Sequence, residues 1–258
     1  MKISKLLIVV FGCLISGNVF AQSPKDIEAD LLKSLNKINY LAAKRDEDTT
    51  GTVLDSLVNA DSEFTDLLEK TLTKYPATLN TPFHTLADSG LFTTSPDGKL
   101  RIYAWDSQSG GQQKDIENIF QFKTDSGSDI LTHVPQTTYG SPADDYNIQQ
   151  CILNGKTYYF IIYESIVGGR HYYEGIMTCA IEQNKLNTKV KLIKTSSGLH
   201  NQLHYEFHHS ENGDDSNDNL IFDEKAKKIS LPVVNAAGEL TSDRITYKFT
   251  GQYFEKVK

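Results

Sequence analysis

The chain has 258 residues, 39% of them hydrophobic and 23% charged, with a formal net charge of −7. That balance is globular rather than disordered, and a chain of this length buries a core without needing disulfides or metal. The acidic charge argues against a nucleic-acid binder, whose affinity rests on clustered Lys and Arg, and offers no basic face to an anionic lipid surface.

Lys2 and Lys5 precede an apolar run at 6–15, and Gly17, Val19 and Ala21 then lead into Gln22. This is the layout of a secretory signal peptide. The run is about half of the ~20 residues a membrane span requires, so no span is expected. The processed chain should begin near Gln22 and reside in the periplasm or outside the cell. Two lysines lighter, it would carry a net charge of −9. A second reading takes Val10-Phe11-Gly12-Cys13 as a lipobox with Cys13 lipidated, but bulky Phe11 and the apolar residues after Cys13 count against it.

Residues 22–79 read as a helical hairpin. Ser23, Pro24 and Asp26 have the spacing of a capped helix start, and Ile27, Leu31, Leu35, Ile38 and Leu41 recur at steps of three and four. After the polar break at 46–51, Thr52 and Asp55 repeat the capping spacing. Leu54, Leu57, Val58, Phe64, Leu67, Leu68 and Leu72 form a second stripe that ends at Pro76. The short connection implies antiparallel helices, with stripes facing the rest of the chain or a partner.

From residue 80 to 258 the period is two, and an antiparallel β-domain is expected. Leu100, Ile102 and Ala104 alternate with Arg101, Tyr103 and Trp105, and strands at 116–123 and 130–134 flank a polar turn. Asn154-Gly155 has the chemistry of a type I′ turn joining 148–153 to 157–164. Residues 158–163 are apolar on both faces, which predicts a central strand covered on two sides. Further strands are expected at 172–182, 188–195, 203–208, 220–222, 229–234, 244–249 and 253–257. The expected fold is therefore α+β, mainly β: a helical hairpin, then an antiparallel meander as a sandwich or a propeller-like sheet.

Ser95-Pro96-Asp97-Gly98-Lys99, followed by alternating residues ending in Trp105-Asp106, resembles a blade of the TolB-like or WD-type propellers. Asn154-Gly155-Lys156 echoes it. No sustained period of ~40 residues accompanies the echo, as propeller repeats require. A shared preference for Asp-Gly or Asn-Gly turns explains both phrases without kinship.

Several clusters invite a chemical reading. His200, Gln202, His204, Glu206 and His208 share one face if the segment is a strand, and positions four apart are then about 13 Å apart. Only His204 with Glu206, or Glu206 with His208, is close enough to share a metal, and a polar solvent-facing row is the simpler reading. Asp215, Asn217 and Asn219 suggest an oxygen-rich calcium loop, but Leu220 and Ala226 stand where that motif needs Gly and Glu. Arg170, His171, Tyr172 and Glu174, with Tyr158 and Trp105, combine acid, base, cation and aromatic faces. These six are the expected ligand-binding residues, with Gly110-Gly111 as neighbours. Aromatic strands and glycine turns also occur for purely structural reasons.

No Gly-x-Ser-x-Gly, His-Glu-x-x-His or glycine-rich phosphate loop occurs, and Ser34-x-x-Lys37 stands without its companion motifs. No cofactor is expected. Cys151 and Cys179 form an even pair in an oxidising compartment. A register pairing Cys151 with Tyr158 and Glu164 with His171 nonetheless puts the two cysteines two strands apart, about 9–10 Å, which favours free thiols. The leading reading is a non-enzymatic exported binding or interaction module, with a small molecule, a glycan or an envelope protein as partner and no nucleic acid. The rivals are a histidine-based, metal-assisted hydrolase and a structural envelope protein assembled through its helices.

Overall fold

The computed structural model describes residues 22–45, 47–110, 114–136, 142–208 and 219–257. The leader at 1–21, Gly111, His209 and all but the last residue of the oxygen-rich loop at 212–219 lie outside the described residues. No helix among the described residues is long and apolar enough to cross a membrane.

Helices α1 (Pro24–Arg45) and α2 (Thr52–Lys74) match the two apolar stripes. Ser23 Oγ accepts from the Asp26 N–H at 3.2 Å and donates to the Asp26 carboxylate at 2.7 Å. The start of α2 differs from expectation. Gly51 sits at the cap with φ 78°, and Asp48 accepts from the N–H groups of Thr50 at 2.8 Å and Val53 at 2.7 Å. The left-handed turn at Gly51 folds the carboxylate of Asp48 back over the helix end, where it does the work expected of Thr52. A 3₁₀ turn (Pro76–Asn80) and the short helix α3 (His84–Asp88) follow.

Strands β1 (Phe92–Thr94), β2 (Leu100–Asp106), β3 (Ile116–Thr124) and β4 (Gly127–Thr132) form a first sheet in chain order. A second meander, β5 (Asp145–Leu153), β6 (Lys156–Gly168) and β7 (His171–Glu182), is extended by β8 (Lys185–Asn187) along β7. β9 (Ile193–Thr195) and β10 (Gly198–His200) belong to a third sheet, whereas β11 (Gln202–His208) returns to pair with β7. β12 (Ile221–Asp223), β13 (Lys228–Val234), β14 (Leu240–Phe249) and β15 (Phe254–Lys256) complete the third sheet in the order β10-β9-β15-β14-β13-β12. β15 runs parallel to β9, and the other pairings among described residues are antiparallel.

Three cores separate four layers. Leu31, Phe64 and Leu68 pack the hairpin on Tyr103, Trp105 and Ile119 of the first sheet. Leu100, Ile102, Phe120 and Phe122 on its other face meet Tyr159, Ile161 and Met177 of the second. Phe160 and Ile176 then point to Phe222, Ile229 and Phe254 of the third. Each fully buried Leu or Phe contributes about 1.5–3 kcal/mol, so each interface rests on many such residues. β6 is central and covered on both faces, as its apolar run predicts. Leu54 and Val58 instead remain 42% and 52% exposed, because they flank the buried stripe of α2. The sheets hold four, five and six strands in different orders, so the Asp-Gly and Asn-Gly phrases mark turns and not a repeating blade.

One register expectation is corrected. Glu164 pairs with Glu174 rather than His171, because β6 runs on to Gly168 and turns tightly at Gly169, φ 56°. Cys179 then sits opposite Tyr159 while Cys151 sits opposite Tyr158. Adjacent strand positions point to opposite faces. The cysteines are accordingly buried in different cores as free thiols. His200 is also parted from the other histidines: it ends β10 in the third sheet, and its Nε2 lies 3.0 Å from Ser197 Oγ.

Candidate functional site

Four tight turns, at 95–98, 124–127, 154–155 and 183–184, meet where one end of the first sheet abuts the second. They border a cleft of about 710 Å³. Asn154 and Gly155 have φ 52° and 78°, and Gln183 and Asn184 have φ 50° and 63°. Two successive residues at positive φ make a two-residue hairpin turn that matches strand twist. Tyr159 Oη donates to Asp97 at 3.0 Å across the seam. Asn184 accepts from the Asp125 N–H at 2.8 Å and donates to its carboxylate at 2.9 Å. The walls are therefore tied together before any ligand arrives.

Lysines line this cleft at three strand ends: Lys99, Lys123 and Lys156. The Lys123 N–H donates to the Lys99 carbonyl at 2.8 Å, one step beyond the Leu100–Phe122 pair. The two lysines are thus direct cross-strand neighbours, about 5.5 Å apart at Cα, and like charges so placed repel. Their neutralisation is uneven. Lys156 is ion-paired with Glu182, whose hydrogen bond raises the lysine's pKa. Lys99 lies 3.6 Å from Asp97, a carboxylate already accepting from Ser95 Oγ and Tyr159 Oη. Lys123 makes no ion pair with a described residue. Burial, and then the charge of Asp97, push the Tyr159 phenol up, so it serves as a neutral donor.

The six residues expected from the sequence are only partly brought together. Arg170 is exposed in the β6–β7 turn. His171 Nε2 lies 3.1 Å from Glu206, and its ring is 4.9 Å from that of His208. Tyr172 stacks on Phe207 at 5.7 Å. Tyr158 lies eight positions along β6 from Ile166, the partner of Tyr172, or about 26 Å at 3.3 Å per residue. It faces the third sheet, with Lys156 Nζ 5.0 Å above its ring. Trp105 is 6% exposed inside the helix–sheet core, its Nε1 donating to Asp61 at 2.8 Å. Desolvation of the His204 ring, which stacks on Tyr173, lowers its pKa. Among the described residues, no group of three or more His, Cys, Asp or Glu side chains could hold a metal ion.

Glu174 is the most perturbed of the six. It is 3% exposed, accepts from Tyr205 Oη and the Leu220 N–H, and faces Glu164 directly across the β6–β7 ladder. Burial pushes its carboxyl up to about 7, with the charge of Glu164 adding and the Leu220 N–H and Arg244 opposing. It borders a smaller cavity of about 330 Å³ with Asn147, Gln149 and Asn219. This carboxyl pins the start of β12 in the third sheet to β7 in the second.

Sequence reasoning missed Lys99, Lys123 and Lys156, although a signal was present. Asp97-Gly98-Lys99 and Asn154-Gly155-Lys156 each place a lysine directly after a turn, and the two turns converge in space. The phrase that resembles a propeller blade marks one rim of the cleft. Compared with known proteins, the chain matches no protein-family model, no curated protein and no solved structure.

Proposed function

We propose that this protein is an exported, non-catalytic binding module that takes an anionic ligand in the turn-walled cleft. One observation carries this reading: Lys99 and Lys123 are held side by side in a chain of net charge −7, and Lys123 has no ion-pair partner among the described residues. Direct like-charge pairing costs stability, and an anion between the two ammonium groups removes that cost. The cross-bonded walls reduce the ordering needed on binding. The signal-like leader supports export, and the acidic remainder of the chain supports selectivity for a small anion over a polyanion.

Calorimetric titration with phosphate, citrate and acetate, on wild-type protein and the K99Q/K123Q variant, tests the site. Wild-type binding should weaken with added salt, and the double variant should lose about tenfold or more in affinity, near 1.4 kcal/mol. Equal affinities in the two proteins would remove this cleft as the site. For export, N-terminal sequencing of protein recovered outside the cytoplasm should start near Gln22. An intact leader on cytoplasmic protein would overturn that part.

A further inference from the structure

We infer that the ligand is a sugar bearing one anionic substituent, a carboxylate or a phosphoryl group, rather than a bare anion; this rests on the cleft being the binding site. The cleft is larger than a bare anion needs. At about 30 Å³ per water, about 710 Å³ holds roughly two dozen waters, so a lone phosphate would leave most of the cleft filled with solvent. A body of monosaccharide size or larger suits it better, within the 300–1,000 Å³ typical of small-molecule sites.

The cleft also presents polar groups that the fold leaves unused. Beyond Lys123, the Thr157 hydroxyl and the Gln183 amide line the cleft and make no side-chain hydrogen bond to a described residue. Both can donate and accept, which is the pattern that sugar hydroxyls require. Neighbouring groups are already committed: Asn184 to Asp125, and Tyr159 to Asp97. The open set is thus one cation, one hydroxyl and one amide around a shared space, beside the Asp125 carboxylate, which also lines the cleft and is held by the Asn184 amide. Ile181 and Gly155 add a small apolar wall suited to the C–H face of a ring. The lysine pair would hold the anionic substituent, while Thr157 and Gln183 on the second-sheet side hold ring hydroxyls.

The full processed protein is titrated with glucuronate, galacturonate and glucose 6-phosphate, and separately with glucose, acetate and inorganic phosphate. At least one anionic sugar should bind about tenfold more tightly than glucose and than the matching bare anion. Comparing the uronates with the sugar phosphate identifies the anionic group. T157V combined with Q183A should weaken the sugar far more than inorganic phosphate, while K99Q/K123Q should weaken both. Unchanged melting of each variant reports intact folding. If the bare anion binds as tightly as its sugar, the anion site stands and this inference fails. Glucose binding as tightly as the charged sugars overturns it as well. If no probe binds, both readings fail together.

Discussion

Replacing Glu174 with Gln should flatten part of the pH dependence of stability. Glu174 is almost fully buried, and its pKa in the fold is pushed from 4.5 to about 7, chiefly by burial. Below about pH 4.5 the folded and unfolded chains both hold the proton. As pH rises towards 7 the unfolded chain releases it while the folded chain keeps it, so the folded state is progressively disfavoured. A gap of about 2.5 units at 1.36 kcal/mol per unit makes this loss about 3 kcal/mol, complete only above about pH 7. Gln cannot ionise, yet it keeps an acceptor for Tyr205 and the Leu220 N–H. The stability difference between E174Q and wild type should therefore shift by about 3 kcal/mol in the variant's favour between about pH 4.5 and pH 8. For a chain of this length that is roughly 6–12 °C in Tm. His204 acts in the opposite sense: its lowered pKa means stability is lost as pH falls. It is present in both proteins and cancels in the difference. Urea unfolding of the pair across this range, at constant ionic strength, is the assay. Parallel curves would show that Glu174 does not carry a buried, shifted proton.

Other expectations follow from individual contacts. W105F removes the indole donor from Asp61, whose carboxyl is already pushed up by burial, and should lower stability by about 1–3 kcal/mol in urea; an unchanged midpoint would contradict the placement of Trp105 in the core. A Cβ on Gly175 would lie 2.3 Å from Tyr163 Oη and 2.7 Å from the Leu203 carbonyl. G175A should thus lose about 1–3 kcal/mol by melting, and adding Y163F should restore part of it; a G175A protein as stable as wild type refutes that close approach. Cys151 and Cys179, both with pKa raised by burial, should resist a thiol reagent until the protein is unfolded. A peptide carrying a Cys151–Cys179 bridge under non-reducing mass spectrometry would refute their placement on opposite faces.

Much of the architecture was legible because its causes are local. The steps of three and four in 27–41 and 57–72 require helices, and the alternation in 100–105 requires a strand, whatever packs on them. Asn154-Gly155 specifies its own turn. The errors arose where a local rule had two solutions. Thr52 and Asp48 are both competent caps, and the left-handed turn at Gly51 selected Asp48. The glycines at 168–169 allow more than one hairpin length, and the tighter turn moved the partner of Glu164 from His171 to Glu174. A shift of this kind cannot be read from composition, yet it decides which side chains share a row.

Tyr158 and Tyr159 show the same limit at single-residue scale. Both are strand tyrosines, and only the stacking of the first sheet on one face of β6 makes Tyr159 a wall of the cleft while Tyr158 faces the third sheet. The sequence by itself determined the helices, the strands, their turns and the acidic balance of charge, because these follow from side-chain period, backbone φ preference and simple counting. The tertiary structure alone decided that Trp105 is core, that Glu174 is a buried pin and that three turn-flanking lysines border one cleft. Those facts depend on contacts such as Tyr159–Asp97 and Asn184–Asp125, between residues 62 and 59 positions apart, where no local periodicity reaches.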